Sequence, residues 1–214
     1  MRGAEERAVR RGLERAKSAL RVVAHGIGPL AAASAADRAL GEGAFGSALS
    51  TGLCGLLSPA FLVGDALVYR ELRREASASL HLDAALGDGV ARRVPGAQSG
   101  IRALASDTIL TTSERKRAAA AHFGTEAVDM ESYALAQRLQ GAGVALAVLR
   151  VGSDALGDDL PELNRALTGS GDIDAFALGL AMMRAPVRAA RLARNGIHAL
   201  RALEDAMYHL AAAA

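Results

Sequence analysis

The sequence predicts a layered α/β domain, in which strands and helices alternate along the chain. Short segments rich in Val, Leu and Ala alternate with longer Ala-rich segments of helical character, and glycines separate the two kinds. Hydrophobic residues make up 51% of the 214 residues, which is enough to fill the core of a domain of this size. Trp is absent and aromatic rings come from Tyr and Phe alone, so the expected core is aliphatic.

The first half of the chain is expected to contain three strands and two helices. We predict strands over residues 19–24, 47–51 and 66–71, a helix over 29–40 and a short helix near 77–86. Pro29 suits the first turn of a helix, where its missing N–H costs nothing. The segment 51–55, interrupted by two glycines, is expected to be a loop whose backbone N–H groups a ligand can approach; an ordinary turn is an equal alternative.

The second half continues the alternation and ends in helix. We predict strands over residues 101–105, 127–130 and 144–151, and helices over 113–122 and 131–140. Gly141 and Gly143 are suited to end the second of these helices. From residue 172 to the end the pattern is helical, with a break at Pro186 and a weak point at Gly196.

Composition excludes several classes of protein. Lys and Arg number 25 against 23 Asp and Glu, so the chain is not a polycation and nucleic acid is not an expected partner. Cys54 has no second cysteine to pair with and no His or Lys beside it, which indicates a reducing cytoplasm and a small core residue. The five histidines are scattered, so no metal site is predicted. The charged first residues are unlike a signal peptide, and no apolar stretch is long enough to span a bilayer.

Two acids follow predicted strands. Glu131 comes after the strand 127–130, and Asp154 comes after the strand 144–151. Because ligands of open α/β sheets bind outside the carboxyl ends of the strands, these side chains are candidates for one site. Taken singly, a helix N-terminal acid and a turn or cap residue are the commoner explanations.

A glycine pattern near the start suggests an alternative function. Residues 26–31 fit the form G-x-G-x-x-A of the dinucleotide fingerprint, between a predicted strand and a predicted helix. That fingerprint also needs an acid at the end of the second strand, where this chain has Leu49, Ser50 and Thr51. A tight structural turn is therefore favoured over a dinucleotide-dependent oxidoreductase, and His25 beside it is expected to be a packed or surface residue.

Five motifs in order resemble the nucleoside phosphorylase and nucleosidase superfamily. They are Gly26-Ile27-Gly28, Thr51-Gly52-Leu53-Cys54-Gly55, Val63-Gly64-Asp65, Val128-Asp129-Met130-Glu131-Ser132 and Arg150-Val151-Gly152-Ser153-Asp154. The motif at 128–132 and the Arg-rich C-terminal helix look like the hopanoid-associated subgroup, which removes adenine from an adenosyl lipid. The resemblance implies a three-layer phosphorylase-type fold, with a central mixed sheet flanked by helices and the first strand apparently missing.

The resemblance also implies a role for several residues. Glu131 matches the glutamate that binds the ribose hydroxyls, Met130 matches the methionine of the ribose pocket, and Asp154 matches the proton donor to the purine, oriented by Ser153. Further matches to substrate-binding positions are Thr51, Gly52, Ser106 and Ile109. Without the first strand, the family's N-terminal acid is matched by either Glu5 or Glu6.

The implied reaction is cleavage of the N-glycosidic bond of a purine nucleoside or adenosyl lipid. Bond breaking leaves negative charge on the base and positive charge on the ribose, so a general acid and a nearby carboxylate both lower the barrier. Phosphorolysis and hydrolysis both remain open, with phosphate as the co-substrate of the first and no other cofactor expected. A homo-oligomer is expected, and a catalytically impaired nucleoside-binding relative is the alternative.

The chain is expected to be one domain, residues 1–214, with a basic helical segment at about 173–210. Five arginines recur at helical spacing there: Arg184, Arg188, Arg191, Arg194 and Arg201. A basic amphipathic helix can lie on an anionic membrane surface, which suits a lipid-linked substrate. A solvated face on a helix packed against the sheet is the favoured explanation.

Overall fold

A computed structural model describes residues 3–166 and 174–212. The described residues form seven α-helices, six strands and one turn of 3-10 helix at Asn164–Ala166. The helices are α1 Ala4–Arg15, α2 Pro29–Gly41, α3 Ala84–Arg93, α4 Ser113–Phe123, α5 Ser132–Gly141, α6 Ala175–Arg184 and α7 Pro186–Ala212. The strands are β1 Ser47–Leu56, β2 Ala66–Arg73, β3 Leu80–His81, β4 Gln98–Ala105, β5 Ala127–Asp129 and β6 Ala145–Asp154.

The strands form one mixed sheet in the order β3-β2-β4-β5-β1-β6. β1 runs parallel to β6, and β2, β4 and β5 run parallel to one another in the opposite direction. β2 also pairs with β6 in antiparallel fashion, which closes β2, β4, β5, β1 and β6 into a ring. The predicted α/β class with a central mixed sheet flanked by helices is therefore confirmed.

Alternation along β6 separates two apolar clusters. Leu146 and Val148 pack into a cluster with α2 and α5, whereas Leu149 and Val151 pack into a second cluster with α1, α3 and α7. Helices thus cover the sheet on both sides, as a three-layer fold requires. A third, smaller cluster around Leu104 attaches α4.

The predicted strand over residues 19–24 is wrong. This segment lies between α1 and α2 without strand structure, and Leu20 and Val23 are 56% and 40% exposed. A strand needs a neighbour to satisfy its backbone N–H and C=O groups, and none pairs here among the described residues. The strand-turn-helix context that a dinucleotide fingerprint requires is therefore absent, although α2 begins at Pro29 as predicted.

The predicted helix near 77–86 is also wrong. Residues Leu80–His81 form β3, which pairs with β2, and the helix begins only at Ala84. Its start is set by Asp83, whose side chain accepts a hydrogen bond from the backbone N–H of Leu86.

Two further corrections concern the N-terminal half. Residues 51–55 are not a loop, because β1 extends to Leu56 and pairs with β6 along its length. The N-terminal residues, for which no helix was predicted, form α1, which packs on α7. Gly12 makes this approach close: a Cβ at this position would lie 2.3 Å from the carbonyl oxygen of Glu204.

The remaining elements follow the sequence pattern. The strands predicted at 66–71, 101–105, 127–130 and 144–151 and the helices predicted at 113–122 and 131–140 all occur, with boundaries that differ by up to three residues. The C-terminal segment is helical and breaks before Pro186, as predicted. Residues 172–173, where that segment was expected to start, lie outside the described residues.

Candidate active site

A buried arginine forms the centre of an ionic cluster between β6 and β5. Arg150 is 2% exposed, and its Nε donates to Asp129 Oδ2 at 3.0 Å while its Nη2 donates to Ser132 Oγ at 3.0 Å. The Ser132 hydroxyl also donates to the Asp129 carboxylate. Burial opposes the charge of Arg150, but Asp129 and Glu131 outweigh it and raise the pKa of the guanidinium. Arg150 is therefore a permanent cation inside the fold.

Glu131 lies beside this cluster at the start of α5. Its Oε1 accepts a hydrogen bond of 2.8 Å from the backbone N–H of Gly28, which joins α5 to the turn before α2. Burial raises the pKa of the Glu131 carboxyl, and the charge of Asp129 raises it further, against the opposing effects of Arg150 and the Gly28 N–H. The backbone N–H of Gly28 therefore donates its hydrogen bond to the side chain of Glu131, a residue of the protein itself.

The structure distinguishes the two N-terminal acids. Glu5 is 9% exposed and its Oε2 lies 3.4 Å from the backbone nitrogen of Leu53 in β1. A Cβ at Gly52 would lie 2.6 Å from that Oε2 and 3.2 Å from Nη1 of Arg150, so the glycine makes room for both side chains. Glu6 instead pairs with Arg10 on the surface of α1. Glu5 is the acid that reaches the cluster.

A second buried ion pair lies at the end of β6. Lys116 of α4 is 1% exposed and its Nζ donates to Asp154 Oδ2 at 2.5 Å. Ser153 Oγ lies 2.8 Å from Asp154 Oδ1 and 3.0 Å from the carbonyl oxygen of Cys54. A Cβ at Gly55 would lie 3.2 Å from Asp154 Oδ2, so this glycine of β1 also leaves space for an acid.

Glu131 and Asp154 follow strands that meet at the same part of β1. Although β5 and β6 run in opposite directions, Gly55 of β1 is paired with Val128 of β5 and with Asp154 of β6, so the carboxyl ends of both strands adjoin β1. The first cluster reaches it at Gly52 and Asp154 reaches it at Gly55, three residues or about 10 Å along the strand.

Four other predicted substrate-binding residues, Met130, Ser106, Ile109 and Thr51, lie in different parts of the fold. Met130 is half-buried beside Glu131, to whose Oε2 its backbone N–H donates. Ser106 lies next to the end of β5, since its backbone N–H donates to the Asp129 carbonyl oxygen at 2.8 Å.

Ile109 lies in the loop before α4, and Thr51 lies in β1. The N–H and C=O of Ile109 bond to the side-chain amide of Asn164, which holds this segment in place. Thr51 lies two residues from both Leu49 and Leu53, which pack against the cluster of α1 and α7. Because residues two apart in a strand point to the same face, the Thr51 side chain points to that side of β1. The Thr51 hydroxyl is buried without a hydrogen-bond partner.

Arg150, Asp129 and Lys116 are site residues for which no role was predicted from the sequence. Arg150 could have been found, because it is the one charged residue of the apolar segment 144–151. Asp129 was quoted within a motif without a role. Lys116 sits among Glu114, Arg115 and Arg117 and gives no sequence signal that it is buried.

Cys54 and His25 behave as expected. Burial raises the pKa of the Cys54 thiol to about 12, and the residue is 4% exposed, which confirms a core residue. His25 is packed in the segment before α2, where its Nδ1 lies 2.7 Å from the Gly26 carbonyl oxygen and burial lowers its pKa.

Two surface cavities contain none of these acids. A cavity of about 500 Å³ lies between α2 and α5, and one of about 340 Å³ lies on α7. The arginines of the larger cavity already have partners, since Arg74 pairs with Asp107 and Arg138 lies 3.7 Å from Asp37. The buried ionic clusters are better candidates for a catalytic site than these cavities, because their charged groups are held out of water.

Comparison with known proteins places these features in context. The model of the phosphorylase superfamily matches residues 9–177. No curated protein sequence matches the chain significantly. A putative methylthioadenosine nucleosidase from Weissella paramesenteroides is 17% identical, with a TM-score of 0.59 over 86% of this chain and 78% of that one.

Two further solved structures have similar folds. A 5′-methylthioadenosine/S-adenosylhomocysteine nucleosidase from Colwellia psychrerythraea, in complex with adenine, is 21% identical, with a TM-score of 0.57 over 82% of this chain and 76% of that one. A futalosine hydrolase mutant of Helicobacter pylori is 19% identical, with a TM-score of 0.54 over 59% of this chain. The matched part spans 66% of that hydrolase. At these identities the likeness shows the fold.

Proposed function

We propose that this chain, which belongs to the phosphorylase superfamily, cleaves the N-glycosidic bond between a purine, in the first instance adenine, and a ribose derivative. One observation carries the proposal: two glycines of β1 each adjoin a buried ionic group. Gly52 adjoins Glu5 and Arg150, and Gly55 adjoins Asp154. The proteins of similar fold named above include a nucleosidase with adenine bound, which supports adenine as the first base to test.

The buried charges are hard to explain by stability alone. Replacing a buried ion pair with packed apolar residues is often neutral or stabilising, so a fold does not need such pairs. Among the described residues two such pairs are buried, Arg150 with Asp129 and Lys116 with Asp154. Ionic groups held out of water concentrate at functional sites.

The proposed mechanism divides the reaction between the two groups. Asp154 passes a proton to the five-membered ring of the purine, and Ser153 orients it. Glu131 and Met130 bind the ribose, and the Glu131 carboxylate stabilises positive charge on the sugar as the bond breaks. The spacing of about 10 Å along β1 suits a substrate whose base and sugar are handled by different residues.

Water is the nucleophile that we place first. The cluster at Gly52 brings the carboxylate of Glu5 beside the buried guanidinium of Arg150. A carboxylate in this position can accept a proton from water as the water attacks the sugar. We therefore place hydrolysis before phosphorolysis.

Release of free base is the direct test. Adenosine, 5′-methylthioadenosine and S-adenosylhomocysteine are incubated with the purified chain, with and without phosphate, and adenine is measured by chromatography. We expect adenine release without phosphate, and a loss of about 10²–10⁴-fold in kcat for Asp154→Asn. The exposed acid Asp88 provides a matched control, since Asp88→Asn should leave the rate unchanged. A wild-type chain that binds adenosine but releases no adenine would instead be an impaired nucleoside-binding relative.

A lipid-linked substrate and a membrane contact are the second part of the proposal. No helix of the described residues is both long and apolar enough to cross a bilayer. Phe176, Met183 and Val187 are nonetheless 83%, 73% and 73% exposed on α6 and α7, near the arginine-rich face. Exposed apolar residues flanked by arginines suit the surface of an anionic membrane on its cytoplasmic side, and thus an adenosyl lipid such as adenosylhopane.

Two of those arginines are partly neutralised, which weakens the membrane contact. Arg188 lies 3.4 Å from Asp159, and Arg191 lies 3.1 Å from Asp158. Flotation with anionic phosphatidylglycerol vesicles tests the contact, with Phe176→Ser as the matched variant. Protein that stays at the bottom of the gradient would exclude it.

We also propose that the chain is one domain with its basic C-terminal segment and that it forms a homo-oligomer. Leu30 is 77% exposed on α2 beside the larger cavity, which makes the surface of α2 and α5 the first candidate for contact with a second copy. Light scattering of the wild type and of Leu30→Asp tests this: a smaller mass for the variant is expected, and a monomeric wild type would contradict it.

A further inference from the structure

Lys116 is bound at every donor position of its ammonium group. Its Nζ donates to Asp154 Oδ2 at 2.5 Å, to the carbonyl oxygen of Ala155 at 2.9 Å and to that of Asp158 at 3.1 Å. An ammonium has three N–H groups, so all are used inside the protein. With 1% exposure, Lys116 exchanges no proton directly with bulk water in this conformation.

Asp154 is held at both oxygens. Oδ2 accepts from Lys116, and Oδ1 lies within hydrogen-bonding distance of Ser153 Oγ. Asp154 and Lys116 form a buried salt bridge, so the proton nearest to Asp154 Oδ2 is one of the Lys116 ammonium. A proton that Asp154 delivers to a base can therefore be replaced across this contact.

We propose that Lys116 is the positioning residue for Asp154 and the source of the proton that Asp154 passes to the departing purine, an inference that rests on the proposed function. When the N-glycosidic bond breaks, its electron pair stays on the purine, which becomes a far stronger base than a carboxylate. One proton moves from Lys116 Nζ to Asp154 Oδ2, and the carboxyl of Asp154 gives one to the purine ring nitrogen.

The protons and charges balance over the cycle. The base leaves neutral, Asp154 is a carboxylate again, and Lys116 is a neutral amine. The nucleophile, water or hydrogen phosphate, loses one proton to solvent by way of Glu5 when it adds to the sugar carbon. After the purine has left, Asp154 takes one proton from solvent and passes it to Lys116, which restores the ammonium. The neutral amine remains held by the carbonyl oxygens of Ala155 and Asp158, so the side chain stays in place for the next turnover.

A merely structural role would be to fasten α4 to the end of β6. Leaving-group dependence separates the two roles. Adenosine needs a proton on its leaving group, whereas 4-nitrophenyl riboside releases a nitrophenolate that is stable without one. A residue that only holds the fold affects both substrates alike, and a residue that supplies a proton affects adenosine alone.

The experiment measures kcat and KM of the full chain for both substrates in the wild type, Lys116→Met and Lys116→Arg, after circular dichroism has shown that each is folded. Lys116→Arg keeps the positive charge but cannot give up a proton. For adenosine we expect kcat to fall about 100-fold or more in both variants, with KM changed less than about threefold. For 4-nitrophenyl riboside we expect kcat within about threefold of the wild type. Arg117→Met, exposed on the same helix, is the control.

Each outcome has a distinct meaning. If Lys116→Arg keeps its rate on adenosine, a positive charge is sufficient and the proton source is wrong. If both substrates slow equally, Lys116 is only structural. Should Lys116→Met not fold, Lys116→Arg makes the same comparison. A wild type that cleaves 4-nitrophenyl riboside but no purine nucleoside removes the proposed function and this inference together, whereas active variants remove the inference alone.

Discussion

Removing the positive charge of Arg150 should destabilise the protein strongly. Arg150→Met keeps most of the side-chain volume but leaves the carboxylate of Asp129, itself 6% exposed, without its ionic partner. Breaking a buried ion pair by removing one partner costs about 3–5 kcal/mol. For a chain of this length each kcal/mol lowers Tm by about 2–4 °C, so the expected drop is about 6–20 °C.

The measurement is denaturant unfolding followed by circular dichroism at pH 7 and pH 5. The loss should be smaller at pH 5, because burial raises the pKa of Glu131, which can take up a proton once the guanidinium is gone. The double variant Arg150→Met with Asp129→Asn should recover part of the loss, since no uncompensated charge from the pair remains. Arg117→Met on the surface should change stability by less than about 0.5 kcal/mol.

Two results would refute this reasoning. A loss below about 1 kcal/mol would mean that water reaches Arg150 and that the cluster is not desolvated. A double variant as unstable as Arg150→Met alone would mean that lost packing, and not the unpaired carboxylate of Asp129, causes the effect.

Three further predictions use other parts of the site. Burial raises the pKa of Glu131, so the folded state binds the proton of this carboxyl more tightly than the unfolded state does, and the stability that this contributes at low pH is lost as pH rises through the raised pKa. Glu131→Gln should therefore raise Tm at pH 8 and leave Tm at pH 4 unchanged. A lower Tm of the variant at pH 8 would contradict this direction. Gly52→Ala should lower the free energy of unfolding by about 1–3 kcal/mol, because the φ of Gly52 is +154° and a Cβ there would lie 2.6 Å from Glu5 Oε2. The control is Gly89→Ala in α3, where a Cβ meets open space and the free energy of unfolding should stay the same or rise. Equal losses in the two variants would disprove the clash at Gly52. Cys54, with its pKa raised to about 12, should not react with a thiol reagent at pH 8 until the protein is unfolded; rapid labelling of the native protein would show that the site opens.

The strand at 66–71 and the segment at 19–24 show how far periodicity predicts this fold. Both are short apolar runs, yet only the first forms a strand, β2, because it lies between β4 and β6 and its backbone groups are bonded there. The second has no neighbour among the described strands. An apolar run is a local property, whereas a strand requires a partner that is distant in sequence.

The acids show the same limit at the level of the site. Glu131 and Asp154 were identified because they follow apolar strands within recognisable motifs. In the fold, Asp154 adjoins Gly55 of β1, and Glu131 accepts a hydrogen bond from the backbone N–H of Gly28. The choice between Glu5 and Glu6 was open in the sequence, since adjacent residues of a helix point in directions about 100° apart and nothing local shows which side faces the sheet. Packing of α1 on α7 directs Glu5 inward and leaves Glu6 paired with Arg10.

The α/β class, the order of most elements, the buried state of Cys54 and the family motifs can be predicted from the amino-acid sequence alone. Each depends on neighbouring residues: the period of apolar side chains, a proline at a helix start, or glycines at fixed spacing. Which charges meet depends on the three-dimensional fold. Arg150 with Asp129 and Lys116 with Asp154 are 21 and 38 residues apart, and their pairing depends on the closure of the sheet and the docking of α4. The protonation of buried groups depends on water being excluded from all sides, which no local stretch of sequence specifies.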